Sequence, residues 1–120
     1  MRLAATIFIV LVAGLHLYFL VLEMFLWRTP FGRRTFGTTV EAAESSAVLA
    51  ANQGLYNGFL AAGLLWALIG YGVVGGRPIL TFFLACVVVA GVYGGVTVSR
   101  RILLVQALPA AIAAALLWLS

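Results

Sequence analysis

Four long apolar stretches follow one another along the chain, separated by short segments that hold most of its charged residues. Each stretch is close to the roughly 20 residues that an α-helix needs to cross a bilayer core about 30 Å thick. Continuous apolar runs are also typical of buried strands, but a length near 20 residues favours helices. The pattern therefore predicts four transmembrane helices, over about residues 3–27, 48–73, 79–98 and 102–119.

The connection between the first two stretches, residues 28–47, contains a predicted helix of its own. Its first half holds three residues that break helices, Pro30, Gly32 and Gly37. Thr38 and Glu41 then have the spacing of a capping box, with Thr38 as N-cap and Glu41 at N3. We expect a short helix to begin there, run along the membrane interface and turn into the second span.

Composition agrees with a membrane protein that has no soluble domain. The 120 residues are 65% hydrophobic and only 8% charged, whereas soluble domains have about 25% charged residues. The predicted fold class is all-α, a polytopic four-transmembrane-helix bundle with a short interfacial helix after the first span. Residues 1–120 form a single membrane domain in this interpretation.

The distribution of arginine predicts the topology. Seven arginines face three glutamates, giving a formal net charge of +4, and the arginines lie at the span ends. This scatter argues against nucleic-acid binding. The first and third connections share one side and hold Arg28, Arg33, Arg34, Arg100 and Arg101, whereas Arg2 and Arg77 lie on the other. Because cytoplasmic loops are rich in basic residues, we expect the first side to face the cytoplasm and both termini to lie outside.

Polar side chains of all four spans fall at one depth, within roughly 15 Å of the predicted cytoplasmic face. They are Glu23 and the deeper His16 in the first span, Asn52, Gln53, Tyr56 and Asn57 in the second, Tyr93 and Thr97 in the third, and Gln106 in the fourth. Polar groups in hydrocarbon need partners, so we expect these side chains to converge on a polar pocket in the cytoplasmic leaflet.

Glu23 and His16 are the candidate acid and base of this pocket, since seven residues place them on one helix face. The other polar side chains would bind the ligand. Two glycine pairs, Gly54/Gly58 and Gly91/Gly95, would let the second and third spans approach closely.

A simpler alternative is that these groups only join helices. Glu23 then pairs with an arginine such as Arg28, and the amides form interhelical hydrogen bonds. A metal site is not predicted, because His16 and Glu23 offer two ligands at most and the one cysteine, Cys86, lies in an apolar run. No cofactor is predicted either.

Several stretches resemble a family of bacterial integral-membrane proteins known as domain of unknown function 1304. The most specific is Ala-Asn-Gln-Gly-Leu-Tyr-Asn-Gly at residues 51–58, and others are residues 16–19, 22–27, 36–37, 90–94 and 105–106 with Pro109. The resemblance covers nearly the whole chain. It implies a small bacterial membrane protein and brings no activity with it.

Three functions remain open on the sequence. The first is a pocket that binds a small apolar or amphipathic, lipid-like ligand from the bilayer, with acid–base catalysis of an isomerase or cyclase type as a variant. The second is proton-coupled export, because the plan resembles small multidrug transporters. The third is a structural or accessory subunit. A homodimer is a further candidate, since four thin helices bury little surface on their own.

Overall fold

The structure is a computed structural model that describes all residues, 1–120, and every regular element in it is helical. The elements are α1 (Arg2–Met24), α2 (Pro30–Phe36), α3 (Val40–Gly75), α4 (Arg77–Thr97), a π-helical turn (Leu103–Ala107) and α5 (Leu108–Trp118). The all-α prediction is confirmed. Helices α1, α3 and α4 are long and apolar enough to cross a membrane.

The last apolar helix is shorter than the other three. It covers Leu103–Trp118, which at 1.5 Å per residue is about 24 Å, less than the roughly 30 Å of a bilayer core. A fourth membrane span over residues 102–119 is therefore not confirmed.

This helix begins with a π turn, in which the Leu108 N–H donates to the Leu103 carbonyl. Pro109 follows directly and has no N–H, so the Val105 carbonyl lacks its usual partner four residues later. Prolines and π turns are both known causes of a break in the i→i−4 hydrogen-bond ladder of a helix.

The connection after α1 differs from its prediction, because the three expected helix breakers belong to a helix: Pro30 begins α2, Gly32 lies within it and Gly37 ends it. Thr29 is the N-cap of α2, and its side-chain oxygen accepts a hydrogen bond from the Gly32 N–H at 3.1 Å. Pro30 occupies the first helical position, where a missing N–H costs nothing. Gly37 ends the helix with φ +66°, the left-handed conformation that glycine adopts without strain.

Helix α3 also begins one residue later than predicted. Thr39, not Thr38, caps it, since its hydroxyl accepts from the Ala42 N–H at 3.1 Å. The expected turn near residue 48 is absent, and α3 stays helical until Gly72, which has φ +78°. Alanine and glutamate dominate its first turns, and they favour an unbroken helix. Over its first 32 residues α3 rises about 48 Å, well beyond a bilayer core.

The chain divides into two compact units, of which the first comprises residues 1–14 and 60–120. Its core is built only from apolar side chains of α1, α3, α4 and α5, the largest of which are Ile9, Leu64, Leu80, Leu84 and Leu117. At one end of this unit the guanidinium of Arg77 lies 5.3 Å from the Trp118 ring and donates to the Ser120 carbonyl. The indole N–H of Trp118 donates to the Thr81 hydroxyl.

Glycines of α4 bring that helix against the π turn. A Cβ on Gly91 would stand 2.5 Å from the backbone nitrogen of Ala107, and one on Gly95 would overlap the Leu103 side chain. The prediction that Gly91/Gly95 and Gly54/Gly58 join the second and third spans is therefore wrong. Each pair packs on a different helix, because close approach depends on which neighbour faces the glycines and not on their shared depth.

Replacing Gly91 with alanine tests this contact. The new Cβ meets backbone atoms, which cannot move aside as a flexible side chain can, so Gly91→Ala should lower the free energy of unfolding by about 1–3 kcal/mol. Gly14→Ala is the matched control, since nothing lies within 4 Å of its added Cβ. It should be neutral or stabilising by up to about 1 kcal/mol. Denaturant titration in detergent, followed by circular dichroism, measures both, and equal effects would contradict the assigned packing.

Candidate functional site

The second unit, residues 15–59, contains a carboxylate–amide pair that joins α1 to α3. The Asn57 side-chain N–H donates to Oε1 of Glu23 at 2.5 Å. Both side chains are half-buried. The second carboxylate oxygen of Glu23 takes part in none of the structure's hydrogen bonds, so it can accept one from a further donor.

Two glycines of α3 make this pair possible. A Cβ on Gly54 would stand 2.7 Å from Cγ of Met24 and 3.2 Å from the Leu20 carbonyl oxygen, and one on Gly58 would stand 2.6 Å from a Leu20 methyl group. The bare backbone of α3 therefore lies directly against the last turns of α1. This close approach lets the short Asn57 side chain reach Glu23.

An open cleft of about 590 Å³ lies beside the pair, between the end of α1 and the first turns of α3. Its polar lining groups are Glu23, Arg28, Thr29 and Asn52, and its apolar ones are Met24, Phe25, Trp27, Ala47, Val48 and Ala51. Most of the lining is thus aromatic or aliphatic, and the Glu23 carboxylate lies among these apolar side chains. The lining of the cleft is therefore amphipathic.

Hydrogen bonds from the connection fix the rim of the cleft. The guanidinium of Arg28 pairs with Glu44 at 3.1 Å, and the indole N–H of Trp27 donates to Ser46 at 3.1 Å. The simpler alternative expected Arg28 to pair with Glu23, but Arg28 pairs with Glu44 instead. Because Arg28 pairs with Glu44, the Glu23 carboxylate forms no ion pair in the structure.

His16 is buried, with 1% of its surface exposed, and its ring meets Phe19 edge to face at 5.3 Å. Seven residues of helix separate it from Glu23, which is about 10 Å along the axis. The two side chains share a face of α1, as predicted, but that rise is too long for direct proton transfer between them.

The remaining predicted site residues lie in different surroundings. Asn52 lines the cleft with Glu23, whereas Gln53 and Tyr56 lie on an exposed face of α3. In the other unit, Tyr93 is 71% exposed, and the exposed Thr97 hydroxyl donates to the Tyr93 carbonyl of its own helix. Gln106 is half-buried within the π turn. A pocket shared by all four spans therefore stays a prediction.

Sequence reasoning missed the apolar half of the cleft. Met24, Phe25 and Trp27 end the first apolar stretch, where aromatic residues are usually assigned to the membrane interface. Ser46 was missed because its role depends on a contact with Trp27, 19 residues away in the chain. No three side chains of the histidine, cysteine, aspartate and glutamate types lie together as a metal site requires.

Comparison with known proteins identifies the family. The family model described as "Protein of unknown function (DUF1304)" matches residues 10–118 of the chain. The chain belongs to this family. A relative from Lactococcus lactis subsp. lactis (strain IL1403), described as "Uncharacterized protein YpaA", is 31% identical over 108 residues, which cover 88% of this chain and 89% of the relative. No solved structure is a significant match.

Two substitutions separate the hydrogen bond from the charge. Asn57→Leu removes the donor and should lower the free energy of unfolding by about 1 kcal/mol, within the range of polar contacts between membrane helices. Glu23→Gln keeps a carbonyl oxygen for Asn57, so it should be at least as stable as the parent protein. Denaturant titration in detergent measures both. A loss in Glu23→Gln as large as that in Asn57→Leu would contradict the assigned role of Asn57.

Proposed function

We propose that this DUF1304 protein is an integral membrane protein that binds a small amphipathic molecule in the cleft beside Glu23. The observation that carries the proposal is the half-buried carboxylate, held by Asn57 in the wall of an otherwise largely apolar cleft. The cleft volume of about 590 Å³ lies within the range of small-molecule sites, about 300–1,000 Å³.

The position of Glu23 favours a ligand over a purely structural role. It lies in the last turn of α1, where the negative end of the helix dipole disfavours a carboxylate. Burial adds a further cost, since a desolvated charge needs a partner. Asn57 supplies one neutral hydrogen bond, and Arg28 is engaged by Glu44. A ligand that brings a cationic group would complete the set.

The ligand class follows from the lining. An ammonium group fits Glu23, with Asn52 and Thr29 as further polar contacts, and an alkyl or ring portion fits Met24, Phe25 and Trp27. We therefore propose a small amphipathic amine. The proposed location of the cleft is the cytoplasmic leaflet of the bacterial inner membrane, because the adjacent connection holds three arginines.

The other two functions have less support. Acid–base catalysis would use Glu23 alone, since His16 is about 10 Å away along the helix. Export would need a polar route across the membrane, and the core of the unit formed by residues 1–14 and 60–120 is purely apolar. An accessory role without a ligand is the outcome that a failed binding test would favour.

Fluorescence of Trp27 offers a direct binding test, because this residue lines the cleft. Trp66→Phe and Trp118→Phe leave Trp27 as the one tryptophan. In phosphatidylcholine nanodiscs, a brominated long-chain alkylamine should quench Trp27 saturably. The matching brominated alcohol should quench only in proportion to its concentration in the bilayer.

Glu23→Gln should weaken the binding of the amine roughly tenfold or more, the effect of losing one charge-assisted hydrogen bond. Glu41→Gln is the matched control, since Glu41 is an exposed carboxylate outside the cleft. It should leave binding unchanged. Equal quenching by amine and alcohol, or equal effects of the two substitutions, would overturn the proposal.

A further inference from the structure

One face of α3 combines exposed amide and apolar side chains without a neighbouring helix. It comprises Leu49, Asn52, Gln53 and Tyr56, which we call the amide face. The spacing i, i+3, i+4, i+7 places all four within roughly a third of the helix circumference. Leu49 is 70% exposed and Tyr56 is 55% exposed.

The opposite side of α3 is already in use. Gly54 and Gly58 lie against α1, and Asn57 donates to Glu23. No hydrogen bond of the structure involves the side chains of Asn52 or Gln53. The amide face is therefore a second surface of α3, and it meets the edge of the cleft at Asn52.

The residues around the two amides indicate a hydrocarbon environment. Val48 and Leu49, one turn before them, are 77% and 70% exposed, and Phe59, beyond them, is 56% exposed. Apolar side chains exposed on both sides place Asn52 and Gln53 within the apolar length of α3. Unpaired amides there are unfavourable, because lipid tails offer no hydrogen bonds.

We infer that the amide face of α3 is a homodimer interface, covered by the same face of a second copy. An amide has both donors and acceptors, so a two-fold axis beside Gln53 lets each copy donate to the other. Leu49 and Tyr56 pack one turn to either side of the amides. A face that complements itself in this way commits to a second copy of the chain.

Disulfide cross-linking in native membranes tests the interface. With Cys86→Ser as the background, Leu49→Cys should cross-link to a covalent dimer under a mild oxidant. Val89→Cys is the matched control, since Val89 is similarly exposed, at 68%, on α4. It should stay monomeric.

Adding Asn52→Leu and Gln53→Leu to the Leu49→Cys protein should lower the initial cross-linking rate roughly tenfold, as expected for the loss of two interhelical hydrogen bonds. Tyr93→Phe with Thr97→Val, two exposed polar positions on α4, should leave the rate unchanged. Cross-linking of Val89→Cys but not Leu49→Cys, of neither, or of Leu49→Cys regardless of the amides would overturn the inference. The positions substituted in this background are exposed, so each variant should fold as the parent protein does, and circular dichroism measures the helix content of each.

Discussion

A carboxylate on an apolar helix needs a hydrogen-bond donor from a neighbouring helix, and this requirement governs how α1 and α3 meet. The donor is Asn57, a short side chain, so the two helices must lie close together. Gly54 and Gly58 provide that closeness by removing side chains from the contact. The cleft beside the pair follows from the same geometry, because α1 ends at Met24 while α3 continues past it.

The apolar pattern predicted the helical elements well, because the length of an apolar stretch can be counted directly along the sequence. The ends of helices depend on single side chains and were less predictable. Thr38 and Thr39 both precede a suitable first turn, and only the Thr39 hydroxyl lies in position to accept from Ala42. Pro30 and Gly37 were assigned as helix breakers, although the same residues favour the first position and the end of a helix.

The candidate site was predictable in part for a similar reason. Depth along a helix follows from residue counting, and it singled out Glu23 and Asn57. Which face a side chain occupies depends on the neighbouring helices, which one sequence does not specify. Gln53 and Tyr56 have the right depth but lie on the exposed side of α3. The ion pair of Arg28 with Glu44 joins residues 16 positions apart, so no local sequence pattern predicted it.

The π turn before Pro109 sets the rotational phase of α5. Each residue of an α-helix turns the chain by about 100°, so one residue more or fewer in this turn would rotate everything after it by that angle. Ala110, Ala113 and Leu117, now in the core, would leave it together. Residues 103–107 thus form a segment in which sequence length is as constrained as sequence identity.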